Sequence, residues 1–262
     1  MTFAIRRGGP GDYPVFVRLF PELGVDDPIL SPEQFAARVL PGVLVIEDNG
    51  APVGYACWRL YGDTAHVVNV VVDPAARSRG AGRALIEAVR GRVLAEGARR
   101  WYLNTKQDNV VAISLYEKSG FSIEFESWPM VTAWSHLASL TADDAEVFVP
   151  APADDAELAA SVGLDSGLLA LMRSRPGVHL AGLREQQRAI AFAAFDPAYP
   201  GVYPIRVPRP ALARRLLDAL GRHAKEDRVM ILVEGDASLR DALASVGAVV
   251  SYPMYRLSAS LG

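Results

Sequence analysis

The sequence predicts an α/β (α+β) protein built as a tandem of two domains, each a mixed, mostly antiparallel sheet flanked by helices. Three observations carry this reading. The chain has 262 residues, more than the roughly 100 to 150 of the commonest single core. Strand and helix signals alternate through the first half, and the second half repeats their order in altered form. Half of the residues are apolar and 22% are charged, a mix that builds a buried core rather than a disordered chain.

Residues 3–7 read as a short strand, and Asp12 is placed to cap a helix through Val15, Val17, Leu19 and Phe20 that Pro21 stops. A helical segment follows at 32–40. Residues 42–47 and 53–60 are strand-like runs on either side of Asp48-Asn49-Gly50, whose Asn-Gly pair signals a hairpin. The run 66–72 is too continuously apolar for an edge strand, and Asp73-Pro74 closes it. In 83–94, Leu85, Ile86, Val89 and Val93 line one helical face. A strand at 100–105, a helix at 110–119 capped by Gly120, and two closing strands at 121–126 and 130–135 complete the first half.

Periodicity is lost from 137 to 152, so the first domain is set at 1–138, a linker at 139–143 and the second domain at 144–262. The second half echoes the first in order: Pro41-Gly42-Val43 in Pro176-Gly177-Val178, the run 54–58 in 191–195, and 85–89 in 216–220. Ser119-Gly120-Phe121 likewise returns as Val246-Gly247-Ala248. Each match is short; their common order over about 110 residues is the signal.

Composition excludes several functions. Lys plus Arg number 27 against 30 Asp plus Glu, a net charge of −3, with no basic excess to hold nucleic acid. No run reaches the roughly 18 apolar residues of a membrane helix, and the N-terminus lacks a secretory pattern, so a cytoplasmic protein without a membrane partner is expected. A single cysteine, Cys57, forms neither an intramolecular disulfide nor a cysteine zinc site. It reads as a buried strand residue too inert for a covalent route, and no metal is expected.

The chemistry lies between the run 70–72 and the helix at 83–94. Residues 73–83 read Asp-Pro-Ala-Ala-Arg-Ser-Arg-Gly-Ala-Gly-Arg. A buried strand turns through glycines into a helix whose first N–H groups and positive dipole end form an anion site. From Asp73 to Arg100 seven arginines face three acids, a local excess of four positive charges, and the arginine fork suits phosphate oxygens. The expected ligand therefore carries a pyrophosphate. No Lys-Ser or Lys-Thr follows the loop as in a P-loop, and the third Rossmann glycine is missing, so ATP and NAD are poor candidates.

Arg77-Ser78-Arg79-Gly80-Ala81-Gly82 resembles the coenzyme-binding signature of the GNAT superfamily, the acyl-CoA-dependent N-acyltransferases: Arg or Gln, two residues, Gly, one residue, then Gly or Ala. About 30 residues on, Asn109, Ala112, Leu115-Tyr116 and Gly120-Phe121 are similar to that family's second signature. The resemblance covers about residues 3–135 well and the remainder only through the repeat.

The resemblance implies acetyl-CoA as cosubstrate. Main-chain groups of Val70, Val71 and Val72 would face its pantetheine arm, and the loop Arg77, Ser78, Arg79, Gly80, Ala81, Gly82 and Arg83 would bind its pyrophosphate. Tyr116 matches the family tyrosine that can protonate the departing thiolate; its other reading is a tyrosine packed in the helix with its hydroxyl at the surface. Asn109 matches a position near the coenzyme arm and is also a good helix N-cap. His66 stands where some members place a strand Glu as base, and an imidazole suits neutral pH; a structural strand-end role is its other reading. Asn69 is not a base, and is read as orienting water or substrate. Asp26 and Asp27 fall where the family builds its acceptor pocket, although Asp-Asp-Pro is also ordinary turn chemistry.

In the second half, Pro208-Arg209-Pro210 replaces the loop glycines and removes backbone donors, and Leu243 stands opposite Tyr116. The second domain is therefore read as a degenerate copy without chemistry. The expected function is acetyl transfer from acetyl-CoA to a primary amine, small-molecule or peptide, by direct attack in a monomer or homodimer. The other reading kept open is a non-catalytic acyl-CoA-binding sensor.

Overall fold

The structure is a computed structural model and describes residues 3–25, 27–165 and 167–262. It divides into two compact units, Met1–Glu124 with Arg256–Gly262, and Phe125–Tyr255.

The first unit runs β1 (Ala4–Arg7), α1 (Tyr13–Leu19), α2 (Pro32–Arg38), β2 (Val43–Asp48), β3 (Ala51–Tyr61), β4 (Thr64–Val72), α3 (Ala81–Ala95), β5 (Arg100–Lys106) and α4 (Val110–Lys118). Asp12 does not cap α1 with its side chain. It instead accepts from Nη1 and Nη2 of Arg6 at 2.8 and 2.7 Å and from the Gly9 N–H, and Arg6 holds its carboxyl below the usual range. The Asn49-Gly50 hairpin joins β2 to β3 with positive φ at both residues. As expected of its spacing, α3 buries Leu85, Ile86, Val89 and Val93.

Past α4 the chain continues through β6 (Ser122–Ala133), α5 (Trp134–Leu137), β7 (Glu146–Phe148), α6 (Asp155–Val162), α7 (Leu168–Ser174), β8 (His179–Glu185), β9 (Arg188–Asp196), β10 (Gly201–Arg206), α8 (Ala213–Gly221), β11 (Arg228–Glu234), α9 (Ala237–Ser245), β12 (Val249–Val250) and β13 (Met254–Ser260). The two closing strands expected at 121–126 and 130–135 are one strand, β6. Pro129, between the two expected strands, takes its place in the ladder opposite Leu232 of β11. Residues 139–143, the expected linker, fall inside the second unit.

The sheet of the first unit is ordered β1-β2-β3-β4-β5-β13, and that of the second β7-β8-β9-β10-β11-β6. The pairs β1–β2, β2–β3 and β3–β4 in the first and β7–β8, β8–β9, β9–β10 and β11–β6 in the second are antiparallel, whereas β4 is parallel to β5 and β10 to β11, where a helix crosses over. The sixth strand of each sheet is non-local in sequence. Residues 125–133 of β6 follow α4 yet belong to the second unit, whereas the chain end from Arg256 belongs to the first. Arg256 is 4% exposed; within the first unit it forms an ion pair with Glu124 at 3.3 Å and lies 3.6 Å over the Tyr102 ring.

Two cores follow from these faces. In the first unit Phe16, Leu19 and Phe35 of α1 and α2 meet Val43, Val45, Tyr55, Cys57 and Val71 of the sheet. In the second, Leu216, Leu217 and Leu220 of α8 and Leu239 and Leu243 of α9 cover Val229, Ile231 and Val233 of β11. No helix among the described residues is long and apolar enough to cross a membrane.

Candidate active site

The site is built where β4 and β5 separate. Their ladder runs from Thr64 opposite Arg100 to Val67 opposite Leu103. Both strands then continue, β4 to Val72 and β5 to Lys106, without further pairing to each other. Residues 68–72 of β4, which include Val70, Val71 and Val72, thus keep β3 on one side and present the other main-chain edge to a gap. Such an edge can receive an amide-bearing chain through main-chain hydrogen bonds. At the start of the gap β4 carries an extra residue: Cys57 pairs Asn69 and Trp58 pairs Val67, so Val68 is bulged.

The cradle lies at the end of β4. Asp73 accepts from Ala75 N–H at 3.0 Å and from Arg18 at 2.5 Å, which lowers its pKa and fixes the turn. Ser78 and Gly80 follow with φ of +60° and +89°, the alternation that turns successive N–H groups into one concavity. The first intrahelical bond of α3 runs from Ala84 N–H to the Gly80 carbonyl at 3.0 Å, so the amides of Ala81, Gly82 and Arg83 have no acceptor within the helix. Gly82 is there for space: a Cβ would lie 3.2 Å from Cδ2 of Leu115 on α4.

The loop arginines are more compensated than local composition suggests. Arg77 donates to the Val72 carbonyl at 3.0 Å and pairs with Glu22 at 2.6 Å; Arg79 pairs with Asp48 at 2.8 Å and Arg83 with Glu87 at 2.8 Å. Two of these acids come from outside the loop and its helix, which counting within residues 73–100 misses. Exposed pairs of this kind are worth roughly 0.2–1 kcal/mol each, little enough for a pyrophosphate to replace.

Tyr116 lies one residue beyond Leu115, 7% exposed. Its ring packs edge-on against Phe121 at 6.0 Å, and Phe121 lies 4.4 Å from Trp101 of β5. Burial pushes its phenol up to about 12. Asn109 caps α4, its Oδ1 accepting from Ala112 N–H at 3.2 Å.

His66 is on the other face. Strand residues alternate sides, and Tyr102, next to Trp101, stacks on the His66 ring at 4.4 Å and 13°. Tyr61 Oη lies 3.1 Å from His66 Nδ1. The same face holds Asn69, whose Oδ1 accepts from Cys57 Sγ at 3.4 Å. Cys57 is buried, and desolvation raises its thiol to about 11, which keeps it protonated and unreactive. His66 and Tyr116 therefore lie on opposite faces of the sheet. Asp27 is partly buried in the connection between α1 and α2, which Lys106 ties to β5 through the Gly24 carbonyl; Asp26 lies outside the described residues.

Sequence reading missed Asn104 and Arg59. Asn104 follows the last β4–β5 pair, and its Oδ1 is shielded from solvent with no donor. Arg59 pairs in register with His66. No motif marks either residue; a register is needed to bring them to this face. Among the described residues there is no group of three His, Cys, Asp or Glu that could hold a metal ion.

Residues 13–121 match the model of the acetyltransferase (GNAT) family. Over that segment the chain is similar to the GNAT superfamily. It is similar to [Ribosomal protein bS18]-alanine N-acetyltransferase of Escherichia coli (strain K12), 32% identical over 77 residues that make up 29% of this chain and 52% of the relative. The chain thus spans about half the length of the curated relatives it matches. Solved GCN5-related N-acetyltransferases share the GNAT fold along the whole chain. That of Sphaerobacter thermophilus has a TM-score of 0.67 at 16% identity, covering 99% of this chain and 96% of its own. That of Anabaena variabilis has 0.60 at 12%, covering 100% and 73%.

Proposed function

We propose that the protein is an N-acetyltransferase that moves an acetyl group from acetyl-CoA to a primary amine by direct attack within its first unit. The observation that carries this is the gap between β4 and β5 ending at the unsatisfied amides of α3: a main-chain edge for an amide-bearing arm leads to an anion cradle for a pyrophosphate. The family match over residues 13–121 supports the chemistry, and the relatives named as alanine N-acetyltransferases support an amine acceptor.

The acetyl-CoA thioester supplies the acyl group. In this reading the amides of 78–83 hold the pyrophosphate and the β4 edge aligns the pantetheine arm. A main-chain N–H of Val70 or Val71 steadies the developing oxyanion. His66, oriented through Nδ1 by Tyr61, takes the proton that the acceptor ammonium must lose before attack. Tyr116 faces the sulfur as it departs. With its phenol near 12, full transfer to a thiolate of pKa about 8.5 is uphill, so Tyr116 contributes as a hydrogen-bond donor to the charge growing on sulfur.

The second unit is proposed as a degenerate copy without chemistry. It repeats the order β2-β3-β4-α3-β5-α4 as β8-β9-β10-α8-β11-α9. Six residues, 207–212, join β10 to α8, against eight, 73–80, between β4 and α3. Arg209 there is engaged by Asp143 and Glu185. Helices α4 and α9 each have nine residues and their seventh positions are Tyr116 and Leu243.

The test is thiol release from acetyl-CoA across a panel of primary amines. Release by the wild type and its loss in Gly82→Glu is the expected result. Binding of acetyl-CoA with no release for any amine would replace this reading with that of a sensor.

A further inference from the structure

The face that carries His66 is rich in cations, and most have partners. Lys106 is tied to the Gly24 carbonyl, while Arg100 and Arg256 share Glu124 at 2.6 and 3.3 Å. Arg59 differs. Among the described residues its guanidinium has neither a hydrogen bond nor an ion pair, although it is partly buried and pairs in register with His66. Two residues from Cys57 on β3, it shares that face of the sheet with Cys57 and, through the ladder, with Asn69.

A second group on this face is also unsatisfied. Asn104 stands two residues beyond Tyr102 on β5 and so shares its side, where the gap opens, and its shielded Oδ1 accepts from nothing. A half-buried cation without a counter-ion and a shielded oxygen without a donor both cost stability in the empty protein. A single ligand with an anionic group and an N–H relieves both.

Resting on the acetyl-transfer reading above, we propose that the acceptor is a small amine bearing a carboxylate: Arg59 receives the carboxylate, and Asn104 Oδ1 accepts from the amine N–H. The arginine fork matches a carboxylate, and the carboxamide oxygen selects a nitrogen that still carries hydrogens. Asn104 is then a positioning residue beside the proton acceptor His66.

Calorimetry of the full chain with coenzyme A present tests this, using acid and amide pairs: L-alanine and L-alaninamide, β-alanine and β-alaninamide, 4-aminobutyrate and 4-aminobutyramide. At least one acid is expected to bind about tenfold more tightly than its amide, the scale of one charge-assisted contact. Arg59→Met should erase that ratio and Arg59→Lys restore part of it. Asn104→Leu should weaken both members of the pair and raise the Tm of the unliganded protein, a gain that a merely structural asparagine would not give. Equal binding of acids and amides, no binding by any pair, or an unchanged ratio in Arg59→Met would overturn the proposal. Thiol release from acetyl-CoA with the same compounds reads the other layer. Preferential acid binding without release contradicts the transfer reading and leaves the carboxylate site standing, whereas release from amides alone contradicts the carboxylate site.

Discussion

Tyr116 is where residue chemistry is most exposed to test. Removing its hydroxyl leaves a ring of the same shape in the same packing, so Tyr116→Phe should lower kcat by about 10²-fold or more, as for loss of a preorganised hydrogen-bond donor to developing charge, with acetyl-CoA affinity within twofold. Unchanged turnover would remove Tyr116 from the mechanism. Because burial raises the phenol to about 12, its protonated form persists through the usual assay range. The alkaline side of the kcat profile should therefore stay flat to pH 10; a decline beginning near pH 9 would show that the phenol titrates as an exposed one. At the cradle, Gly82→Glu sets bulk and negative charge beside amides meant for phosphate, within reach of Leu115. It should abolish acetyl-CoA binding while the fold survives, and retained affinity would defeat the cradle.

Among elements, the start of β8 and the end of α8 give a prediction for the second unit. His179 and His223 stack face to face at 3.6 Å and 6°. Desolvation, with the neighbouring imidazole, lowers the His179 pKa below its ordinary 6.5. The unfolded chain then binds more protons than the folded one as pH falls through 6.5, so stability is full above that value and declines below it. The fall in Tm between pH 7.5 and pH 5.5 should be smaller in His179→Phe than in the wild type; an equal fall would mean the pair does not govern acid sensitivity. Elements were also where the sequence was most legible. The apolar face of α3, the Asn49-Gly50 hairpin and the glycine after α4 are local signals, and local physics decides them. The split of 121–135 into two strands does not hold: although proline is disfavoured within strands, Pro129 is accommodated within β6 opposite Leu232. Arg59, His66 and Asn104 could not be brought together by alternation alone, since the extra residue at Val68 shifts the phase of β4 against β3, and one residue of slip turns every side chain to the other face.

For the whole molecule, the sixth strand of each sheet comes from the far end of the other segment. No local pattern announces that choice, which is why a cut near residue 140 looks natural in sequence and is not natural in the fold. A fragment of residues 1–138 lacks β13 and leaves Tyr102 and Glu124 without Arg256, so it should be insoluble or lack a cooperative thermal transition. A soluble, cooperatively melting fragment would show that the chain end is dispensable. The intact chain carries the central claim, that one unit holds the coenzyme and the other has lost the means to do so. Calorimetric titration of the full chain with acetyl-CoA tests it most directly: the account predicts one site per chain, lost in Gly82→Glu, whereas two sites, or none, would contradict it.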